Sequence, residues 1–261
     1  MTLIELILVI GIVAVIFALL APSLQMSRLQ AKTIVCMSNI RQLNSVFSIY
    51  VNEYGKFPYG IYDSSAGAPP DGYTQSAGGR TGWWWFNYLE GIYTKKMSKK
   101  TVIQCPCRQI NNPKLNKDIL CGNYGANLSI CRMFDGNVDP NEIGIPRLLT
   151  EVSRPSQALL IVDSGYIMIS WRHAADSFVS TLGNTNIEDT SYVPGLSINR
   201  QRRLQPGQEI DAVYGRHPQK TVNVGFADGH VARTKAEDLL VKKTPDGHYQ
   251  NKFPLWVPDS K

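Results

Sequence analysis

The residues best suited to chemistry lie near the C-terminal end, where His217 precedes the segment Phe226-Ala-Asp-Gly-His230. An imidazole and a carboxylate are used both for acid–base catalysis and for binding metals. A structural interpretation competes with both, because Asp228-Gly229 is also a typical hairpin turn in which both residues tolerate positive φ. We expect the hairpin, with His217 hydrogen-bonded across the same sheet.

No catalytic signature supports an enzyme. The chain has no His-Glu-x-x-His, no phosphate-binding loop, no Gly-x-Ser-x-Gly and no Cys-x-x-Cys-His haem motif. We therefore predict a protein that is not an enzyme and has no catalytic residues.

A second candidate site is a run of oxygen donors at alternate positions: Asp135, Asn137, Asp139 and Asn141. This spacing suits a hard cation, so Ca²⁺ is the candidate cofactor. The run departs from an EF-hand loop, because Pro140 stands where glycine is required and Pro146 where the bidentate Glu should be. An ion-free loop is the alternative.

Four of the five cysteines lie close together in the sequence: Cys105, Cys107, Cys121 and Cys131. In an oxidising compartment they predict two disulfides with three alternative pairings. Zinc binding is a second interpretation, although Cys-Pro-Cys lacks the usual spacer of two to four residues. Free or partly paired thiols are the third. Cys36 is expected to be an unpaired core residue.

These groups must be positioned by a fold that begins with a strongly apolar helix. Residues 6–21 contain no polar side chain, and residues 3–24 are long enough to span a membrane. Glu5 lies roughly 7 Å into this helix, where an unpaired carboxylate costs a few kcal/mol. We predict that its partner is the α-amino group of a neighbouring copy, which makes Glu5 an assembly residue.

The helix is predicted to continue to about residue 54. Apolar residues recur in steps of four and three, which marks one helix face: Cys36, Ile40, Leu43, Phe47, Tyr50 and Tyr54. Gly55 and Pro58 should end the helix. Pro22 should kink or locally unwind it, and Gly11 permits close approach of another helix.

The remaining residues are predicted to form a β-rich head. Strands are expected at residues 102–105, 158–163, 166–171 and 221–226, and a short helix at 236–242. The aromatic block 83–89 should anchor the head on the helix, with an exposed stacking surface as the alternative. We therefore predict an α+β fold with a hydrophobic helix (1–24), an amphipathic continuation (25–55) and a globular head (56–261).

The start Met1-Thr-Leu-Ile-Glu5, followed by the apolar run, resembles the mature N-terminus of type IV pilins and type II secretion pseudopilins. The resemblance implies a leader removed before Met1 by prepilin peptidase, N-methylation of Met1, a docking role for Glu5 and a bend at Pro22. The family usually has Phe where this chain has Met1. The resemblance also implies an inner-membrane helix before assembly and, after it, a helical homo-oligomeric filament outside that membrane, built by dedicated assembly machinery.

The head is similar to that of large prepilin-type proteins named for an H-X9-DG motif. The similarity is carried by Cys105-Pro106, 123–127, 154–157 and His217 with Asp228-Gly229, although here ten residues separate His217 from Asp228. This branch has no established chemistry to carry over, so the head motif indicates a pilin-like fold rather than an activity.

Three functions follow as hypotheses. The first is a structural subunit of a type IV pilus or secretion pseudopilus. The second is a minor or tip subunit that binds a surface, a polysaccharide or DNA, since basic residues cluster at 95–100 and 200–203; the net charge of +6 is mild, however, and favours ordinary solvated loops. The third is a membrane-anchored enzyme using His217 and Asp228.

Overall fold

The N-terminal helix is one continuous element in the computed structural model, which describes residues 2–63, 82–93, 102–134, 140–176 and 191–259. Helix α1 spans Leu3–Tyr54, 52 residues, or roughly 78 Å. It ends as predicted at Gly55, whose φ of 74° is left-handed and whose N–H donates to the Val51 carbonyl. The helix runs through Pro22 without interruption, so the local unwinding expected there is absent within residues 3–54.

The two halves of α1 have different surroundings. No side chain between residues 3 and 24 is buried, whereas the second half buries one face in the head. The predicted apolar face is confirmed except at Tyr54, which is 54% exposed. The same face also buries three polar residues that the periodicity does not reveal, namely Thr33, Asn39 and Asn44.

In the described residues, the head combines short strands with two short α-helices. In chain order they are β1 (Ile61–Asp63), β2 (Gly82–Trp84), α2 (Trp85–Tyr93), α3 (Pro113–Lys117), β3 (Tyr124–Asn127), β4 (Leu159–Asp163), β5 (Met168–Ile169), β6 (Thr221–Phe226), β7 (Val231–Lys235), β8 (Lys242–Lys243) and β9 (Tyr249–Gln250). The main sheet has the order β5-β3-β4-β6-β7, and only β3 and β5 pair in parallel. The α+β prediction is confirmed.

Helix α1 packs directly on this sheet and on α2. The rings of Phe47 and Trp85 stack with centroids 5.4 Å apart, so the aromatic block anchors the head on the helix as predicted. Gly225 permits a close approach of sheet and helix, because a Cβ there would lie 2.6 Å from Asn44 Nδ2. That Nδ2 donates to the carbonyls of Phe226 and His230, each at 3.2 Å, which fixes the β6–β7 hairpin to the helix.

Two predicted elements are wrong and one is shorter than expected. Residues 102–105 form turns instead of a strand, because the Cys105 N–H donates to the Asn123 side-chain oxygen at 3.1 Å and Pro106 has no N–H to donate. The helix expected at 236–242 is a 3₁₀ turn over Ala236–Leu239. The strand expected at 166–171 is reduced to β5.

A buried histidine makes the head sensitive to acid. Burial, aided by the charge of Arg202, lowers the pKa of His173 to about 3, whereas an unfolded histidine titrates near roughly 6.5. Between these values the unfolded chain binds a proton that the folded chain does not. Stability should therefore fall as the pH drops through this window, by at most about 1.4 kcal/mol per pH unit.

His173→Asn should flatten this slope, which urea unfolding at a series of pH values measures. His173 Nδ1 accepts the Ser170 N–H at 3.0 Å, and the asparagine oxygen can accept the same bond without titrating. An unchanged slope in the variant would contradict the assignment.

Candidate functional site

Glu5 has a hydrogen-bond partner within its own chain. The Thr2 N–H donates to Glu5 Oε2 at 2.7 Å, and the Glu5 N–H donates to Thr2 Oγ1 at 3.3 Å. This is a capping box, which satisfies two donors at the start of a helix. The signal was present in the sequence as a Thr three residues before a Glu. Met1 lies outside the described residues, so its pairing with Glu5 of another copy stays a prediction.

Gly11 lies on the exposed half of α1, and among the described residues no atom beyond the adjoining helix backbone would lie within 4 Å of a Cβ placed there. Its predicted role in close helix packing therefore needs a second copy or another helix.

The structure does not bring His217 and Asp228 together, because they lie before and after strand β6. Asp228 occupies the β6–β7 turn with Gly229, whose φ is 96°, so the hairpin interpretation is confirmed. Asp228 Oδ1 accepts the His230 N–H at 3.0 Å and lies 2.6 Å from His230 Nδ1. Partial burial acts in the opposite direction, but the hydrogen bonds from His230 lower the pKa of Asp228.

His217 lies instead in a buried cluster between α1 and the head. Four side chains place ligand-type atoms within 4.8 Å of one another; this Cys–Asp–His cluster consists of Cys36, Cys105, Asp163 and His217. Cys36 comes from the buried face of α1, Cys105 from a turn, Asp163 from the end of β4 and His217 from the segment before β6. The spacing of these residues in the sequence does not reveal this site.

The two disulfides predicted among Cys105, Cys107, Cys121 and Cys131 are absent, and all five cysteines are buried free thiols. Cys36 is buried and unpaired, as expected, and its Sγ lies 3.6 Å from Cys105 Sγ. Cys36 Sγ donates to Asp163 Oδ1 at 3.2 Å. The pairing rule failed because it assumed that cysteines close in sequence are partners in space.

Hydrogen bonds hold the cluster in a definite arrangement. His217 Nε2 lies 3.0 Å from Asp163 Oδ2, and His217 Nδ1 lies 3.0 Å from Thr33 Oγ1. Asp163 Oδ2 also accepts the Asn223 N–H at 2.7 Å. The carboxylate and the ring are therefore fixed from α1, β4 and β6 at once.

The protonation of the cluster follows from these contacts. Burial lowers the pKa of His217, but the charge and hydrogen bond of Asp163 outweigh it and raise the value to about 9. Burial raises the pKa of Cys36 well above its ordinary value. For Cys105 burial acts in the same direction, yet hydrogen bonds from Cys107, Cys36 and His217 lower its pKa well below the ordinary value.

A buried arginine completes the surroundings. Arg216 donates to both carboxylate oxygens of Asp211, at 2.7 to 2.9 Å, and to the carbonyls of Asn123 and Ser164, each at 2.7 Å. Its Nη1 lies 4.0 Å from Asp163 Oδ1. The guanidinium thus carries positive charge beside the cluster and joins the residue just before β3, the residue just after β4 and the segment before β6.

The burial of the cluster limits what it can do. Cys36 and Asp163 are fully buried, and His217 and Cys105 are 3% and 4% exposed. A substrate therefore has no access to these side chains in this conformation. A proton or a single metal ion is the kind of ligand that such a group of atoms can hold.

Three of the four predicted calcium ligands, Asp135, Asn137 and Asp139, lie outside the described residues. The fourth, Asn141, lies in a 3₁₀ turn, and its backbone carbonyl accepts a hydrogen bond from Arg132 Nε at 3.1 Å. The calcium hypothesis stays a prediction.

Neither a family model, a curated protein nor a solved structure matches this chain. The class of protein must therefore be inferred from the architecture of the chain itself. That architecture is a long N-terminal apolar helix on an α+β head, which is compatible with a pilin-like fold, and the helix is long and apolar enough to cross a membrane.

Arg216→Met should destabilise the head by about 3–5 kcal/mol, because removing one partner of a buried ion pair leaves the other charge unpaired. Denaturant unfolding of the two chains measures the difference. Arg233→Met is the control. Arg233 donates hydrogen bonds to the Thr221 hydroxyl and the Pro218 carbonyl at the sheet edge, so this variant should lose much less free energy of unfolding. Equal losses in the two variants would show that Arg216 has no special structural role.

Proposed function

We propose that this chain is a structural subunit that polymerises through α1 into a filament, either a type IV pilus or a type II secretion pseudopilus. One observation carries the proposal. Apart from Glu5 and Ser23, residues 3–24 are apolar, and all of them are exposed, while the same helix continues into the core of the head. Apolar surface left in water costs about 25 cal/mol per Å². This half of α1 therefore requires a membrane or other copies of itself.

The junction between helix and head supports this role. Asn44 binds the β6–β7 hairpin, Phe47 stacks on Trp85, and the Cys–Asp–His cluster lies between α1 and the sheet. The head is therefore held firmly on α1. When the apolar halves pack side by side, the heads are displayed outside the bundle in a fixed orientation.

Glu5 sets the register in this proposal. A carboxylate in an apolar bundle is costly unless paired, and the free amine at Met1 of an adjacent copy is the proposed partner. Within one subunit the capping box satisfies Glu5 until that amine arrives. The proposal includes N-methylation at Met1 after processing by prepilin peptidase, residence in the inner membrane before assembly, and an extracellular or periplasmic filament afterwards.

A second candidate is a minor or tip subunit that is anchored singly and presents its head to a surface, a glycan or DNA. The capping box favours it, because Glu5 is satisfied without any neighbouring chain. The relative amount of this protein in sheared filament material distinguishes the two candidate functions. A major subunit should dominate sheared filament material, whereas a minor subunit should be a trace component of it.

Glu5→Gln should strongly impair filament assembly while the head stays folded, because it removes the charge but keeps a side-chain acceptor for the Thr2 N–H. Thr2→Ala is the matched control: it removes half of the capping box, leaves the carboxylate, and should cost about 1 kcal/mol of helix stability without preventing assembly. The yield of sheared filaments and the thermal melting of the head are the measurements. Normal filaments from Glu5→Gln would refute the pairing role.

A further inference from the structure

We propose that Cys36, Cys105, Asp163 and His217 form a structural zinc site that fastens the long helix to the head. The four side chains supply two sulfurs, one oxygen and one nitrogen, the donor types that Zn²⁺ takes in proteins. Their ligand atoms all lie within 4.8 Å of one another. The proposal is independent of polymerisation, since it concerns how one subunit holds its own helix.

The distances fit one tetrahedral ion. With bonds of roughly 2.3 Å to sulfur and 2.0 Å to oxygen or nitrogen, tetrahedral zinc places two sulfurs about 3.8 Å apart, sulfur and oxygen about 3.5 Å apart, and oxygen and nitrogen about 3.3 Å apart. The corresponding separations here are 3.6 Å between the two sulfurs, 3.2 Å from Cys36 Sγ to Asp163 Oδ1, and 3.0 Å from Asp163 Oδ2 to His217 Nε2. The two carboxylate contacts involve different oxygens, of which the ion would take one, and the four ligand atoms lie within 4.8 Å of one another. Outward shifts of a few tenths of an ångström would admit the ion.

The hydrogen bonds around His217 orient it as a ligand. The Thr33 hydroxyl donates to the Leu29 carbonyl at 2.8 Å, so toward the ring it acts as an acceptor. His217 Nδ1 therefore carries a proton, and Nε2 is the nitrogen that faces Asp163 and the centre of the cluster. A ligating histidine whose other N–H is held by an oxygen is the usual outer-shell arrangement at zinc.

The carboxylate is held in the same way. Asp163 Oδ2 is bound by the Asn223 backbone N–H at 2.7 Å, which leaves Oδ1 facing Cys36 Sγ. Arg216 lies 4.0 Å from Oδ1 and offsets part of the negative charge that two thiolates and a carboxylate bring to the ion. Four protein ligands leave no open position, which is the pattern of structural rather than catalytic zinc.

The four ligands come from segments far apart in the sequence, so an ion bound to all of them would link these segments in the fold. One ligand is on α1 and three are on separate parts of the head. An ion held by all of them joins the helix to the head at a single point. Because such a site does not exist in the unfolded chain, the free energy of zinc binding becomes free energy of folding.

A disulfide between Cys36 and Cys105 is the competing use of the two sulfurs. It would use only the two sulfurs and would not account for Asp163 and His217, whose side chains face the same point. Zinc uses all four groups, so the geometry favours the metal.

The test begins with the full chain purified in detergent without chelators. Elemental analysis should find one zinc per chain. After metal removal, Co²⁺ should restore the visible absorption of tetrahedral cobalt and a thiolate charge-transfer band, and Zn²⁺ should raise the melting temperature. A metal-free native chain that shows no melting shift with Zn²⁺ would overturn the proposal, as would a Cys36–Cys105 disulfide found by mass spectrometry in the native protein.

Variants assign the ligands. Cys36→Ser and His217→Gln should each weaken zinc binding by more than about 100-fold, and Thr33→Val by about 10- to 100-fold, the range typical of outer-shell changes. Cys121→Ser is the control, since Cys121 contacts Asp118 instead, and it should bind zinc normally. Because Asp163→Asn keeps an acceptor for the Asn223 N–H, it tests the fourth ligand even if the His217 variant does not fold. Equal zinc binding in all variants, or loss in Cys107→Ser but not in Cys105→Ser, would overturn the assignment.

Discussion

The apolar surface of α1 is the constraint on which the rest of the structure depends. Helix α1 has 52 residues, and its buried residues all lie in its second half, from Thr33 to Val51. The first half presents leucine, isoleucine and valine on every side. The head therefore holds one end of the helix, while the apolar surface of the other end is left uncovered by the described residues of its own chain.

The contact between the second half of α1 and the head is polar as well as apolar. Phe47 and its neighbours supply the hydrophobic contact, but Thr33, Cys36, Asn39 and Asn44 on the same face all hydrogen-bond to the head. Buried polar contacts of this kind add little net stability, yet each leaves an unpaired group if the helix slides or rotates. They therefore define one rotation and one depth of the helix against the sheet. In the proposed filament, this contact would also set the orientation of each head.

The parts of this fold that depend on local pattern could be predicted from the sequence. The four-three spacing from Cys36 to Tyr50 predicted the buried helix face, Gly55 predicted its end, and Asp228-Gly229 predicted the hairpin. The run 158–163 predicted β4 for the same reason, since a continuous apolar stretch that ends at an acid marks a buried strand.

The Cys–Asp–His cluster could not be predicted in that way. Its members are separated by more than fifty residues each, so only the three-dimensional sheet order places them together. Cys36 was interpreted as core because its neighbours on the stripe are apolar, and the cysteines at 105–131 were paired by proximity in sequence. One signal was available: Thr33 and Cys36 lie three positions apart, so a hydroxyl and a thiol share the helix face that enters the head.

The most direct test of the proposed filament is electron microscopy of the purified full chain after detergent is removed. We expect helical filaments in which the apolar halves of α1 form the core and the heads form the outer surface. Single subunits that stay inserted in lipid and never associate, from a chain with a correctly folded head, would contradict it.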